Sequence, residues 1–439
     1  MSPAPRNAAL RNALLGLGVL VLIAAVGLLQ SWNTALLIVN MALVSAVMAL
    51  GVNLQWGFAG LFNVGIAGFV ALGGLGVVLT SMPPVGEAWA AGGPRLIAGL
   101  ALGAGVIAGA VWLFRRMAKG PARALVLLAC LIAGFVLFRA VLDPAVAAVE
   151  AVNPASTGYL GGLGLPVLIA WPVGGLLAAG AAWLIGKTAL GLRSDYLAIA
   201  TLGISEIIVA VLKNEDWLAR GVKNVVGLPR PVPYEVSLQR SGTFAAQAAD
   251  WGLDPVTAST LYVKANYLVL FAVVLVVLLV MLQAAVHSPW GRMMRAIRDN
   301  ETAAEAMGKD VTKRHLQVFV LGSAICGLAG AMMTTLDGQL TPGTYNPLRF
   351  TFLIWVMVIV GGSGNNFGAA LGGFLIWFLW VEVEPMGRWL METVTSVMPA
   401  DSGLRAHLLD SAAYMRLMTM GVVLLLVLRF SPRGLIPER

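Results

Sequence analysis

The chain has 439 residues, of which 11% are charged and 59% hydrophobic. Soluble domains carry roughly 25% charged residues, so this composition excludes a water-covered surface, a disordered chain and a secreted disulfide scaffold. The net charge of +8 then asks for a membrane explanation before a nucleic-acid one. Between Arg11 and Glu87 there is no Asp, Glu, Lys or Arg, a run long enough for three helical crossings of ~20 residues each. The expected fold class is an all-α, polytopic helical membrane protein.

Uncharged windows place spans at residues 10–29, 34–53, 58–80, 96–114, 124–142, 160–186, 196–212, 265–286, 316–336, 350–381 and 412–428. The first follows Arg6 and Arg11 as a signal peptide would. Its apolar core is long, however, and no small-residue cleavage site precedes Trp32, so it reads as a retained helix. The pair 96–114 and 124–142, bracketed by Pro83-Pro84 and Asn153-Pro154, carries few polar residues; residues 94–157 read as an inserted hairpin away from any substrate path. Residues 213–264, with Pro229, Pro231, Pro233, Trp251 and Pro255, form an extracytoplasmic segment, either a cap for an external partner or a connecting loop.

The 350–381 window is 32 residues long and is interrupted by Gly361-Gly362-Ser363-Gly364-Asn365-Asn366. A turn there makes about twelve spans, whereas one tilted helix makes eleven. Twelve spans gather Arg6, Arg11, Arg115, Arg116, Lys119, Arg123, Lys187 and Arg193 on one side, with Arg292, Arg295, Arg298, Lys309, Lys313, Arg314, Arg429, Arg433 and Arg439. That is more than half of the 29 basic residues, mostly in short loops. The positive-inside rule assigns this side, with both termini, to the cytoplasm.

Cys130 and Cys326 sit in apolar stretches, and His287, His315 and His407 in separate segments, so neither a disulfide framework nor a metal-ligand spacing is present and no cofactor is expected. Gly186-Lys187-Thr188 is not a nucleotide loop, because Ala181 stands where the first glycine is required and the preceding residues form a membrane helix instead of a strand. Energy must come from a partner or an ion gradient. Two Gly- and Asn-rich interruptions, 57–74 and 361–373, suit either paired broken helices around a central path or close glycine-mediated packing. Glu206 lies near the middle of the 196–212 span, with Thr201 and Ser205 on the same helix. Either it serves a wet cavity or helix-holding hydrogen bond beside the path, or the span ends early and Glu206 reaches the outer interface. Asn53, Gln55, Asn63 and Asn365 add carboxamides to this candidate translocation path.

The basic side holds one compact feature, at 287–315. Ser288 is a good N-cap and Pro289 a tolerated first-turn residue. Trp290, Met293, Met294 and Ile297 then recur at helical spacing, with Arg292, Arg295 and Arg298 on the opposite face, as in an amphipathic helix lying on anionic headgroups; membrane lipid is thus an expected partner. A second short helix follows, with Thr302 and Glu305 as a capping box and Gly308 as a left-handed stop. Two short helices between spans make a rigid knob of the kind a soluble motor can grip.

Glu301-Thr-Ala303-Ala304 followed by Gly308 resembles the EAA loop of ABC importer permeases, whose short cytoplasmic helix docks on the ATPase subunit. Around it, in order, stand Asn53-Leu-Gln55-Trp-Gly-Phe-Ala-Gly-Leu-Phe-Asn63-Val-Gly65, Leu192-Arg-Ser-Asp195-Tyr196, Thr201-Leu-Gly203-Ile-Ser205-Glu206, Ser288-Pro-Trp-Gly-Arg292, Gly327-Leu-Ala-Gly-Ala331, Val360-Gly-Gly-Ser-Gly364 and the closing Arg429-Phe-Ser-Pro-Arg-Gly434-Leu. This succession, spread over about two thirds of the chain, resembles the LivM-type permeases of branched-chain amino-acid ABC importers. The resemblance implies a second permease of similar fold, two cytoplasmic ATPase subunits, an extracytoplasmic binding protein, a bacterial inner-membrane location, and Glu301, Ala303, Ala304 and Gly308 as ATPase-coupling residues. It implies branched-chain or other hydrophobic amino acids as substrate, with urea or short amides as competitors. Asn365-Asn366 departs from the usual continuation of the second glycine motif, as do the 94–157 pair and much of the outer segment. An ion-coupled secondary transporter would need intramembrane ionisable pairs, and Glu206 has no evident cationic mate; an enzyme would need paired carboxylates or a nucleophile with a base at one depth.

Overall fold

The computed structural model describes residues 5–192, 194–396, 398–399 and 402–438, and the side chains of these from residue 10 onward. Arg193 and Arg439, counted above among the basic loop residues, lie outside the described residues, as does the side chain of Arg6.

Helix α1 (Pro5–Leu29) rises from one face of the bundle, and α2 (Trp32–Val52) returns to it, capped by Ser31, whose hydroxyl accepts from the Thr34 amide at 3.1 Å. The winding of α2 widens into a π-helical stretch, Asn53–Phe58, after which the chain is irregular over 59–65. Only then does α3 (Ile66–Ser81) begin, so the expected span at 58–80 is corrected: its first third is not helix. A hairpin of α4 (Gly86–Arg116) and α5 (Pro121–Glu150) follows, then α6 (Val167–Ala189) and α7 (Ser194–Asn214). The far-face segment carries short helices α8 (Asp216–Ala219), α9 (Glu235–Gln239) and α10 (Gly242–Asp250). Its two-residue strand β1 (Val225–Val226) pairs antiparallel with β2 (Gln339–Leu340), Val225 facing Leu340.

Asp254 caps α11 (Pro255–His287) by accepting from the Thr257 amide at 3.0 Å. The knob helices α12 (Pro289–Asp299) and α13 (Glu301–Ala306) precede α14 (Val311–Asp337). A π-helical turn, Leu348–Phe352, leads into α15 (Leu353–Gly361), and α16 (Asn366–Val394), α17 (Gly403–Ser411) and α18 (Met415–Phe430) complete the order. The 350–381 window does turn, at 362–365, where Gly362 (φ 118°) and Gly364 (φ 78°) take backbone conformations that side-chain-bearing residues avoid.

Among the described residues, ten helices are long and apolar enough to cross a membrane, and two shorter ones, Ile66–Ser81 and Leu348–Gly361, bring the apolar helices to the expected twelve. The short pair differ in kind. Helix α3 has 16 residues and so reaches about 24 Å, less than the ~30 Å of a hydrocarbon core. The missing length is made up by irregular chain at 59–65 and, before the π-helical turn that leads into α15, by β2 and a 3-10 turn at Pro342–Thr344.

Apolar side chains gain little by leaving lipid for another helix, so close backbone approach has to hold such a bundle. The core follows that rule. A methyl group at Gly73 would overlap the Gly327 carbonyl, and one at Gly330 the Val70 carbonyl, so α3 and α14 touch backbone to backbone. Gly361, Gly368 and Gly372 bring α15 and α16 together in the same way. By contrast, the α4–α5 pair joins the bundle at its far-face end, through Ala88, Leu96, Leu142, Ala145 and Val149 against Val85, Leu160 and Trp217.

Candidate functional site

The two short helices meet by their N-terminal ends inside the bundle, and polar side chains there satisfy backbone groups that a helix start leaves open. Around α3, the Val64 amide donates to Thr201 Oγ1 (3.1 Å), Gly65 to Asn63 Oδ1 (2.9 Å), Ala67 to Thr351 Oγ1 (3.3 Å) and Gly68 to Ser205 Oγ (2.7 Å). Trp355 of α15 donates its indole N–H back to the Asn63 carbonyl at 3.0 Å. Trp355 meets Phe62 edge-on (ring centres 4.7 Å apart) and Trp56 at a tilt (4.8 Å) at this junction.

The carboxamides behind it form two hydrogen-bonded groups, one around Gln55 and one around Asn53. Gln55 donates to the Phe319 carbonyl (2.8 Å) and Ser323 Oγ (3.0 Å), and accepts from Asn63 (2.9 Å). Asn53 donates to Asn366 Oδ1 (3.1 Å) and accepts from the Gly364 amide (2.9 Å), while Asn366 donates to Gln283. Asn53, Gln55, Asn63, Thr201 and Ser205 are all 0–2% exposed. These residues tie the broken segments to their neighbours, the Asn53, Gln55 and Asn63 carboxamides and the Thr201 and Ser205 hydroxyls each being hydrogen-bonded inside the protein. Asn365 likewise caps α16, accepting from Phe367 and Gly368, and donates to the Pro437 carbonyl at 3.2 Å.

One consequence is a stability prediction. Gln55→Leu keeps the volume but strands the Asn63 amide group in a dry interior, at a cost of about 2 kcal/mol. A lowered unfolding temperature in detergent checks it.

Glu206 behaves differently from Thr201 and Ser205. It faces away from α3, on the exposed side of α7 with Tyr196, Ile199, Gly203, Ile207 and Ala210. At 1.5 Å per residue it stands about 18 Å from the Ser194 end of the helix and about 12 Å from the Asn214 end. It thus sits deep within the span and does not mark an early helix end.

In the knob, Ser288 caps α12 and Pro289 occupies its first turn. The apolar face of α12 is buried against the bundle: Met294 is 0% and Ile297 1% exposed, with Trp290 and Met293 packed beside them. The reading of α12 as a helix lying on headgroups is corrected, because protein covers the face that lipid was expected to cover. Its arginines are also engaged with the chain itself. Arg292 donates to the His287 carbonyl (3.0 Å) and Arg295 to that of Val286 (3.4 Å), capping the end of α11. Arg298 donates to the Gly57 carbonyl and pairs with Glu438 at 2.9 Å and Asp299 at 3.1 Å. Burial works against its charge, but the Glu438 and Asp299 carboxylates outweigh that, and its pKa is raised.

Asn300, and not the Thr302–Glu305 pair, caps α13, accepting from the Ala303 amide at 3.0 Å. Gly308 (φ 73°) ends it, with Lys309 N–H reaching the Ala304 carbonyl at 3.1 Å. Ala304 is turned inward, whereas Glu301, Ala303, Met307 and Gly308 are exposed. A cavity of about 380 Å³ lies beneath, lined by Gly60, Phe62, Leu197, Arg298, Glu301 and His315, so the knob borders the first broken segment.

Comparison with known proteins names this arrangement. The sequence profile described as the branched-chain amino acid transport system permease component matches residues 126–428, well over half of the chain. The chain belongs to that permease family. Among curated relatives of this permease, the high-affinity branched-chain amino acid transport system permease protein LivM of Escherichia coli K12 is 30% identical over 209 residues, 47% of this chain and 48% of that one. A probable LivM of Methanocaldococcus jannaschii is 27% identical over 248 residues, 56% of this chain and 61% of that one. The xylose transport system permease protein XylH of Escherichia coli K12 is 23% identical over 263 residues, 56% of this chain and 54% of that one. The chain spans about half the length of the curated relatives it matches. No solved structure matches it. The permease is a multi-pass membrane protein and a transport component. The profile match begins inside α5, so the second helix of the hairpin falls within the family's range for the most part.

Sequence reasoning missed Thr351, Trp355, Gln283, Ser323 and Glu438 as members of these networks. For Thr351, Trp355, Gln283 and Ser323 the local signal is a polar or indole group inside a largely apolar run, Glu438 is one charge in a charged tail, and the partner of each lies far away in sequence.

Proposed function

We propose that the permease is the transmembrane subunit of an ABC importer for branched-chain or other hydrophobic amino acids, driven by two separate ATPase subunits and fed by an extracytoplasmic binding protein. A second permease of similar fold completes the pore. The chain sits in a bacterial inner membrane with its knob face and both ends in the cytoplasm, and residues 213–264 and helix α4, which precedes the matched range, stand around the transporting core. The observation that carries this reading is the knob: a short helix whose inward residue, Ala304, anchors it while Glu301, Ala303 and Gly308 stay exposed beside the first broken segment. In this reading ATP-driven closure of the ATPases pushes α13, α12 moves with it because Met294 and Ile297 are locked into the bundle, and the paired short helices shift to alternate access.

Glu206 belongs on the path wall. An ionised carboxylate deep in a span is costly against lipid, so the exposed face of α7 meets the second permease or water between the two, where Glu206 can take a substrate ammonium group. A charged hydrogen bond is worth about 1.5–3 kcal/mol, so Glu206→Gln is expected to slow uptake roughly ten- to a hundredfold. ATPase binding should be unchanged, and unaltered uptake would remove Glu206 from the path. The reading as a whole is tested by purifying the permease from its native membrane: an ATPase is expected to accompany it in stable stoichiometry, and its reproducible absence would contradict the proposal.

A further inference from the structure

Beyond α18 the chain does not leave the bundle. Residues 431–438 fold back under the turn at 362–365, with the Leu435 amide donating to the Val360 carbonyl and Ile436 to Gly361, both at 2.9 Å. Ile436 is 5% exposed, and a methyl group at Gly362 would overlap its carbonyl oxygen, so the segment presses directly on the turn. Asn365 adds a hydrogen bond to the Pro437 carbonyl at 3.2 Å. The segment then ends its course at the knob, where Glu438 pairs with Arg298 at 2.9 Å.

Arg298 is the point at which three elements meet. It lies on the last turn of α12; its Nη1 serves both Glu438 and the Gly57 carbonyl. Its side chain also crosses Gly60 (φ 71°), where a Cβ would stand 3.2 Å from the Arg298 Cγ. Through Gly57 and Gly60 it holds the first broken segment, and through Glu438 and residues 434–437 it holds the second. The apolar face of α12 is buried on its own account, at Met294 (0% exposed) and Ile297 (1% exposed).

We propose that residues 431–438 are a second arm of the coupling knob, with the Arg298–Glu438 pair as its joint. Motion of α12 reaches the first half of the bundle at Gly57 and the second half, through this arm, at 360–365. Glu438 is a positioning residue, acting on the path only through Arg298 and the turn. The inference rests on the importer reading, and the test separates the two.

The complete complex, reconstituted in proteoliposomes with radiolabelled L-leucine as probe, is assayed for leucine imported per ATP hydrolysed. With Glu438→Ala the ATPase subunits are expected to remain bound and hydrolysis to stay within about twofold, while leucine imported per ATP falls about tenfold. Glu438→Asp, which keeps a carboxylate, should retain most of the coupling. An unchanged ratio in Glu438→Ala would overturn the proposal. So would a parallel loss of ATPase binding, hydrolysis and uptake, which would mark the arm as packing alone. Absence of ATP-driven uptake by the unsubstituted complex would instead remove the importer reading, and the joint with it.

Discussion

Glu301→Arg is expected to abolish ATP-driven uptake while leaving the bundle folded. Glu301 is exposed at the first turn of α13, where a carboxylate complements the partial positive charge of the helix start; losing it costs the chain itself about 0.3–1 kcal/mol. The effect on a docked partner is larger, because an arginine both removes an anionic contact and inserts a long cation at the centre of a small surface formed by Ala303, Met307 and Gly308. A desolvated like-charge contact costs several kcal/mol, so the ATPase recovered with the permease should fall at least about a hundredfold. Gly308→Val acts on the same surface by another route. Its φ of 73° is unfavourable for a β-branched residue, and the Lys309 to Ala304 hydrogen bond that closes α13 depends on it. Pull-down of the ATPase with each variant, alongside an unfolding temperature in detergent, reads both expectations. Retained ATPase in Glu301→Arg would move the docking surface elsewhere.

Gly330→Val should prevent accumulation of folded permease. Helices α3 and α14 touch through Val70 and Gly330 at one level and Gly73 and Gly327 at the next, and a side chain at either level overlaps a carbonyl oxygen, which has no rotamer to escape into. Overpacking of a tight core costs about 1–3 kcal/mol when the neighbours can shift, and more when they cannot. Here a shift of α14 would also disturb the Thr334–Tyr345 pair (3.0 Å) and the Gln55 contact with Ser323, which hold the irregular chain around both short helices. Gly105→Ala is the matched control, since open space surrounds that position in α4. Yield and unfolding temperature in detergent should fall sharply for Gly330→Val and stay level for Gly105→Ala; equal behaviour of the two would contradict the close-packing account.

Spans were legible in the sequence because charge is excluded from hydrocarbon whatever the partner, and the glycine turn at 361–366 was legible because its backbone needs glycine. The late start of α3 was not. Residues 59–65 are as free of charge as a helix would be, and what keeps them irregular is supplied from elsewhere: Thr201, Ser205 and Thr351 take the backbone groups that an earlier helical turn would have satisfied. The same limit applies to Asn53 and Asn366, 313 residues apart, each of which looks like a free polar group until the other is placed beside it. In α12 the period of the apolar face identified a helix with a covered side, but an amphipathic stripe is the same whether lipid or protein covers it. At the start of α13, Thr302–Glu305 satisfied the capping-box pattern, yet Asn300, in an extended conformation (φ −158°, ψ 96°), begins the helix two residues earlier. Glu206 was visible as an anomaly at depth; its direction, away from α3, was fixed only by the packing of Thr201 and Ser205.

The central claim, that a separate ATPase drives this chain through the α12–α13 knob, is tested most directly by uptake into proteoliposomes. The permease is reconstituted with its co-purifying ATPase, second permease and binding protein, and labelled L-leucine is followed with ATP supplied on the knob face. Leucine is predicted to accumulate only with ATP, to be insensitive to collapse of ion gradients, and to be lost in Glu301→Arg. Accumulation by this chain alone, driven by an ion gradient and indifferent to ATP, would contradict the account.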